Sequence, residues 1–170
     1  TARYVAAVEG TSARIVDTRK TTPGLRVLER QAVRDGGGRN HRFSLSDAVM
    51  AKDNHLAVLA AAGVPLGDAI RAARARIGHT VHLEVEVDRI DQIEEVVAAG
   101  VDTIMLDNFA PDELRAGIAV VAGRALVEAS GGVTLDTVAD IAATGVDVIS
   151  VGALTHSVRA LDLGLDVTVS

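Results

Sequence analysis

Cysteine is absent from the 170 residues, which excludes disulfides, thiolate metal sites and a cysteine nucleophile, and fits a reducing compartment such as the cytoplasm. Tryptophan is missing too, and aromatic residues make up only 2% of the chain. The core must therefore be built from Ala, Val, Leu and Ile, which suits layers of branched side chains behind parallel strands better than a β-sandwich. No apolar run approaches the roughly 20 residues of a membrane span, and Thr1-Ala2-Arg3-Tyr4 lacks the basic and apolar regions of a signal peptide. Net positive charge is lacking as well. The formal charge is −6, which argues against nucleic acid as the main partner, because gripping a phosphate backbone needs a basic face. The cations that are present are unevenly placed: Arg14, Arg19, Lys20, Arg26, Arg30, Arg34, Arg39, Arg42 and Lys52 are more than half of the 17 Lys and Arg and fall in the first third. A basic sector on an acidic chain suits a small anionic ligand.

What is there is apolar and periodic. Hydrophobic residues form 48% of the sequence, enough for one domain that buries roughly two-thirds of its unfolded surface. Residues 13–18, 48–53, 81–87, 103–107, 125–130 and 148–152 read as buried parallel strands, each β-branched or apolar and ending in polar residues or Gly. Helical spacing appears between them: Leu66, Ala69, Ile70, Ala73 and Ile77 behind Pro65; Ile90, Ile93 and Val97 stopped by Gly100; Leu114, Ile118 and Val121 behind Pro111 and stopped by Gly123; and Leu135, Val138 and Ile141 between a Thr134 cap and Gly145. Gly100-Val101-Asp102-Thr103-Ile104 and Gly145-Val146-Asp147-Val148-Ile149 repeat one helix-to-strand joint. Six βα units fall short of the eight of a complete barrel, so the α/β fold predicted for residues 1–170 is a single, incomplete, open βα barrel of about six parallel strands, TIM-like, with a doubly wound sheet as the competing arrangement. Gly36-Gly37-Gly38, ahead of Arg39-Asn40-His41-Arg42, reads as a mobile loop between the first two strands.

Nearly every unusual polar cluster falls where a predicted strand ends and the chain turns toward a helix, the rim that carries the active site in barrels. Around it come Thr18, Arg19 and Lys20; Lys52, Asp53, Asn54 and His55; Glu86 and Asp88; Asp107 and Asn108; Ser130, Gly131 and Gly132; and Gly152 and Ala153. Ser130, Gly131, Gly132 and Val133 before Thr134, and Gly152, Ala153 and Leu154 before Thr155, read as two phosphate-binding loops, because Gly lets backbone N–H groups approach an anion. His156, one turn into the last helix, is either a further phosphate ligand or a cap. Glu86 and Asp107 end neighbouring strands and could converge on one cation, most simply Mg²⁺; Glu84 and Asp88 share Glu86's strand face and leave the register open. Arg19, Lys20, His41, Arg42 and Lys52 form the cationic side. Arg26, Arg30, Arg71, Arg74 and Arg76 read as solvated helix surface, and His55, His79 and His82 carry no assigned role.

Seven collinear motifs resemble the quinolinate phosphoribosyltransferase family: Asp17-Thr18-Arg19-Lys20-Thr21, Gly36-Gly37-Gly38-Arg39-Asn40-His41-Arg42, Lys52-Asp53-Asn54-His55, Glu84-Val85-Glu86-Val87-Asp88, Leu106-Asp107-Asn108-Phe109, Ser130-Gly131-Gly132 and Ser150-Val151-Gly152-Ala153-Leu154-Thr155. The resemblance implies a type II phosphoribosyltransferase that joins quinolinate to phosphoribosyl pyrophosphate with Mg²⁺, releasing carbon dioxide and pyrophosphate and giving nicotinate mononucleotide for NAD synthesis. By that resemblance Arg19, His41, Arg42 and Lys52 hold the two carboxylates of quinolinate, with Thr18 and Lys20 on the same wall. Glu86 and Asp107 serve the ribose hydroxyls and Mg²⁺, and the two Gly loops grip phosphate. Lys20 or Lys52 is the cation for decarboxylation. The resemblance further implies a homodimer, and an N-terminal domain that this chain does not carry. A paralogous enzyme acting on another heterocyclic acid, or a barrel that binds phosphate without turnover, are the competing readings.

Overall fold

The computed structural model describes residues 1–168. Six parallel strands, β1 (Arg14–Val16), β2 (Ala48–Ala51), β3 (His82–Val87), β4 (Thr103–Asp107), β5 (Leu126–Ser130) and β6 (Val148–Ser150), form one sheet in the order β1-β6-β5-β4-β3-β2. Each strand after β2 adds beside the one before it, β1 pairs with β6, and β1 and β2 are left as the two edges. That is the cyclic order of a barrel with one side open. A doubly wound sheet would need a reversal of strand order, and there is none.

Alternation explains why the sheet curls with its apolar side outward. On β3, Leu83, Val85 and Val87 are at most 1% exposed and point to the helical side, while His82, Glu84 and Glu86 share the concave face. Ile104 and Leu106, Val127 and Ala129, and Ile149 and Val151 continue the apolar face on the next three strands or their ends. They share one core with Ile93 and Val96 of α5 (Ile93–Ala98), Leu114 and Val121 of α6 (Pro111–Val121), and Val138 and Ile141 of α7 (Val138–Ala142). The repeated joint has one physical basis. Asp102 donates its N–H to the Leu83 carbonyl and accepts the Leu83 N–H on Oδ2 at 2.7 Å; Asp147 does the same with Val127, at 2.8 Å. Each Asp thereby caps the start of the neighbouring strand.

Three features differ from the sequence expectation. The Gly36–38 run ends a helix, α2 (Arg26–Asp35), through N–H bonds from Gly36, Gly37 and Gly38 back to Ala32, Arg34 and Val33, and Arg39 then pairs in parallel with Val16. The run is a helix stop that feeds a strand-like segment into the open side, rather than a free loop. Arg30 of α2 is buried, not solvated: its guanidinium meets Asp17 at 3.2 Å, donates to the His41 carbonyl at 2.6 Å, and lies 5.3 Å from the centre of the Phe43 ring. The helix expected from Thr134 begins at Val138, because the first turn is a Thr134–Thr137 side-chain turn. The other helices are α1 (Ala2–Ala7), α3 (Asp53–Ala61), α4 (Leu66–Arg76) and α8 (Ala153–His156). Among the described residues no single helix is long and apolar enough to cross a membrane.

Candidate functional site

The strand ends on the concave side open into two adjoining cavities. The first, of ≈ 200 Å³, is lined by Thr18, Arg19, Lys20, His41, Arg42, Met50, Lys52, Glu86, Met105, Asp107, Ser130 and Ser150. Four permanent cations thus converge on a space the size of a small planar ligand. The arrangement is electrostatically incomplete. Arg19 Nε is buried with no hydrogen-bond partner. The Arg42 guanidinium is held below its ordinary pKa first by burial and then by the charge of Arg19 beside it. Arg42 donates to the Ala48 carbonyl at 2.8 Å and approaches Met50 Sδ at 3.5 Å, which leaves further guanidinium donors for a ligand. Lys52, extended at the N-cap of α3, sets its Nζ against Glu86 Oε2. His55 accepts the Lys52 backbone N–H at 2.9 Å, which is a capping role.

The second cavity, of ≈ 400 Å³, is lined by Thr18, Lys20, Asp107, Asn108, Ser130, Gly131, Gly132, Val133, Thr134, Ser150, Gly152, Ala153 and His156. It contains both Gly loops and shares Thr18, Lys20, Asp107, Ser130 and Ser150 with the first. A bipartite anion fits this shape, with its junction at those shared residues. A hollow of ≈ 480 Å³ between α3, α4 and residues 88–95 is larger, but its charged lining is mainly acidic, with Asp53, Asp88 and Glu95 against Arg89, so it does not suit an anion. At Gly131 the backbone has φ +88, and a Cβ there would collide with Asn108. Gly131→Ala is therefore expected to destabilise the fold by about 1–2 kcal/mol and to weaken inorganic phosphate binding, read by chemical denaturation and calorimetry; unchanged values in both would reject the loop's role.

Of the residues predicted from sequence, Thr18, Arg19, Lys20, His41, Arg42, Lys52, Glu86, Asp107, Ser130, Gly131, Gly132, Val133, Gly152, Ala153 and His156 all line these two cavities. Leu154 does not: its side chain is in the core and its N–H goes to the Val151 carbonyl. Asn108, expected on the rim, lines the second cavity, and Met50, Met105, Thr134 and Ser150 line the site without having been expected. Period-two alternation could have found three of them, since Met50, Met105 and Ser150 lie two residues before Lys52, Asp107 and Gly152 on the same face. The carboxylates of Glu86 and Asp107 each have one oxygen engaged, by Lys52 and by Asn108 Nδ2 at 2.7 Å. Glu86 Oε1 and Asp107 Oδ1 accept no hydrogen bond among the described residues, and two free hard oxygens, Asp107 at the junction of the cavities and Glu86 in the smaller one, are a donor set that fits Mg²⁺.

His41 lies deeper than its neighbours. Its Nε2 is 3.3 Å from Glu84 and 3.5 Å from Glu128, and its Nδ1 accepts the Arg42 N–H at 2.8 Å. Ligand atoms of the three side chains lie within 4.8 Å of one another. A metal is nevertheless poorly served, because an accepting Nδ1 requires the hydrogen to be on Nε2, the atom a metal would need. Burial is the largest influence on Glu84 and holds its carboxyl above the ordinary carboxylate range. A carboxyl whose folded-state pKa is raised contributes stability at low pH that is lost as pH rises through the folded value. The melting temperature is therefore expected to fall more steeply in this chain than in Glu84→Gln as pH rises above the ordinary Glu value of about 4.3; parallel curves would show that the cluster does not carry the dependence.

The family model "Quinolinate phosphoribosyl transferase, C-terminal domain" matches residues 1–166. The chain is 51% identical over 157 residues to the probable nicotinate-nucleotide pyrophosphorylase (carboxylating) of Bacillus subtilis, covering 92% of this chain and 53% of that protein. It is 47% identical over 169 residues to the nicotinate-nucleotide pyrophosphorylase (carboxylating) of Mycobacterium leprae, covering 98% and 58%. The crystal structure of nicotinate-nucleotide pyrophosphorylase from Ehrlichia chaffeensis superposes with a TM-score of 0.88 at 41% identity, over 97% of this chain and 58% of that one. The chain thus spans a little over half the length of the relatives it matches. With the family model matched along nearly all of its length and an open barrel of the same shape, this chain belongs to the quinolinate phosphoribosyltransferase family, within the region of the C-terminal domain.

Proposed function

We propose that this chain provides the barrel on which a phosphoribosyl group passes from phosphoribosyl pyrophosphate to the ring nitrogen of quinolinate, with loss of the 2-carboxylate as carbon dioxide, giving nicotinate mononucleotide and pyrophosphate. The observation that carries the reading is the meeting of Arg19, Lys20, Arg42 and Lys52 in the smaller cavity, with Arg19 Nε buried and unpartnered. Guanidinium donors match carboxylates bidentately, and a dicarboxylate is the small planar anion that answers such a set. Arg19 and Arg42 hold its carboxylates. Lys52 and Lys20 keep positive charge beside the ring carbon that retains the electron pair when carbon dioxide leaves, and that carbon then takes a proton. The Gly131–Gly132 and Gly152–Ala153 loops, with His156, bind phosphate in the larger cavity.

Glu86 in the smaller cavity and Asp107 at the junction would hold Mg²⁺ and the ribose hydroxyls. The ion, when bound, neutralises the departing pyrophosphate, while the two carboxylates oppose the positive charge that develops on the ribose. A homodimer belongs to the same reading: Leu25, Val27, Leu28, Phe43 and Leu45 are exposed apolar side chains of the kind an oligomer covers. A cytoplasmic setting accords with the absence of Cys.

The test is an assay of this chain with quinolinate, phosphoribosyl pyrophosphate and Mg²⁺, following nicotinate mononucleotide by chromatography, with nicotinate as the competing acceptor and calorimetric titration of each ligand. Turnover selective for quinolinate is the expected result. Binding of phosphoribosyl pyrophosphate with neither turnover nor quinolinate binding would instead favour a phosphate-binding barrel, and binding of neither ligand would reject the cavity as the site.

A further inference from the structure

His41 has no ring nitrogen left for a ligand. Nδ1 is taken by the Arg42 N–H, and Nε2 faces carboxylates from two strands, Glu84 of β3 and Glu128 of β5. Those strands are not neighbours, since β4 lies between them. The imidazole therefore ties residues 40–42, which enter from the open edge beside β1, to the far side of the concave face. Glu128 is itself held by the Ser150 hydroxyl of β6, so the tie engages β3, β5 and β6 together. Glu84 and Glu128, each only 3% exposed, line neither anion-binding cavity but a separate hollow at the starts of the strands, which His41 and Arg42 also border, so their place there calls for a reason other than ligand contact in those cavities.

The same turn is fixed from behind. Asp17 accepts the His41 N–H at 2.7 Å and the Asn40 side-chain amide at 2.6 Å, and Arg30 donates to the His41 carbonyl. What emerges between the two grips is Arg42, whose N–H is the donor on His41 Nδ1 and whose guanidinium lines the cavity beside Arg19. We propose that Glu84 and Glu128 are positioning residues that clamp His41 across the open barrel and thereby aim Arg42 at a carboxylate of the acceptor substrate. The inference rests on the reading of that cavity as the dicarboxylate site. It gives His41 a mechanical role in place of a direct one: the ring closes the open side, and its neighbour does the binding.

Glu128 is the sharper probe, because Glu84 is two residues from Glu86. Glu128→Ala removes one jaw, whereas Glu128→Gln keeps an oxygen to accept the Nε2 hydrogen. In Glu128→Ala the Nε2 hydrogen is left to Glu84 alone and the buried Ser150 hydroxyl loses its acceptor, which is worth about a tenfold loss in a linked equilibrium. The expected result in calorimetry is a quinolinate Kd raised about tenfold by Glu128→Ala, an unchanged Kd for phosphoribosyl pyrophosphate, and recovery of most of the quinolinate affinity in Glu128→Gln. Where the chain turns over, KM for quinolinate should rise with little change in kcat. Nitrogen-15 NMR of the His41 ring supplies a readout independent of substrate: hydrogen on Nε2 with Nδ1 accepting is expected in the unaltered chain. A ring with its hydrogen on Nδ1, or affinities for both ligands falling together with stability, would overturn the clamp. Failure of the unaltered chain to bind quinolinate at all would instead remove the substrate reading, and the positioning role with it.

Discussion

Lys52→Ala is expected to lower kcat for nicotinate mononucleotide formation by about 100- to 1,000-fold, the range for removing a preorganised charge from a developing anion, with the fold intact. Lys52 follows β2 and is the N-cap of α3, and its side chain remains 45% exposed although its Nζ meets Glu86. A half-exposed pair of this kind contributes at most about 1 kcal/mol to stability, so a loss of turnover would not be a loss of structure. The same substitution frees the Glu86 carboxylate of its cation and adds uncompensated negative charge to a cavity meant for anions. Lys52→Arg separates the two effects: it restores charge to Glu86 but spreads it over a planar group, so it should recover acceptor binding better than it recovers kcat. Single-turnover kinetics on the three proteins would decide the matter. Near-wild-type kcat in Lys52→Ala would remove Lys52 from the chemistry and leave Lys20 as the remaining candidate.

The sheet was legible because its strands are short, β-branched and bounded by turn residues, and because each ends in a residue unlike the rest. Register was not. The strands pair Met50 with Glu84, and Glu86 with Met105 and through it Glu128; only the side-chain contacts show that Glu84 and Glu128 meet on His41 while Glu86 meets Lys52, a choice that alternation alone leaves open. The helix α2 was hidden for a related reason. Its first turn shows Val27 and Leu28 to solvent, at 66% and 67% exposure, while its inward side carries Arg30 with Val33. Apolar periodicity reports which residues avoid water, and here a charge does so because Asp17 and two carbonyls receive it. The joints at Asp102 and Asp147 lie at the other extreme: a five-residue echo in sequence became the same pair of hydrogen bonds in space. The cationic side of the site could be listed from its position after strands, yet the role of His41 could not, because its two carboxylate partners are more than 40 residues away in sequence and on different strands.

Arg30→Met should give the largest loss of stability of any single change at the site. Asp17 is fully buried, and of its donors Arg30 alone brings charge; the others are the Asn40 amide and the His41 N–H. Removing one member of a buried pair typically costs about 3–5 kcal/mol, because the remaining charge stays desolvated, which for a chain of this length corresponds to a melting temperature lower by roughly 6–20 °C. Most of that penalty belongs to the stranded Asp17 carboxylate rather than to the lost contact. The double variant Asp17→Asn with Arg30→Met should therefore be markedly more stable than Arg30→Met alone, which is non-additivity of the sign expected for coupled neighbours. It should not recover function to the same degree. The His41 and Arg42 carbonyls would still lack their guanidinium donor, so the turn that presents Arg42 would be gripped on one side only, and quinolinate affinity should stay reduced while stability returns. Thermal denaturation and calorimetry of the single and double variants separate these quantities; recovery of both together would show that the buried pair acts on the site through global stability alone.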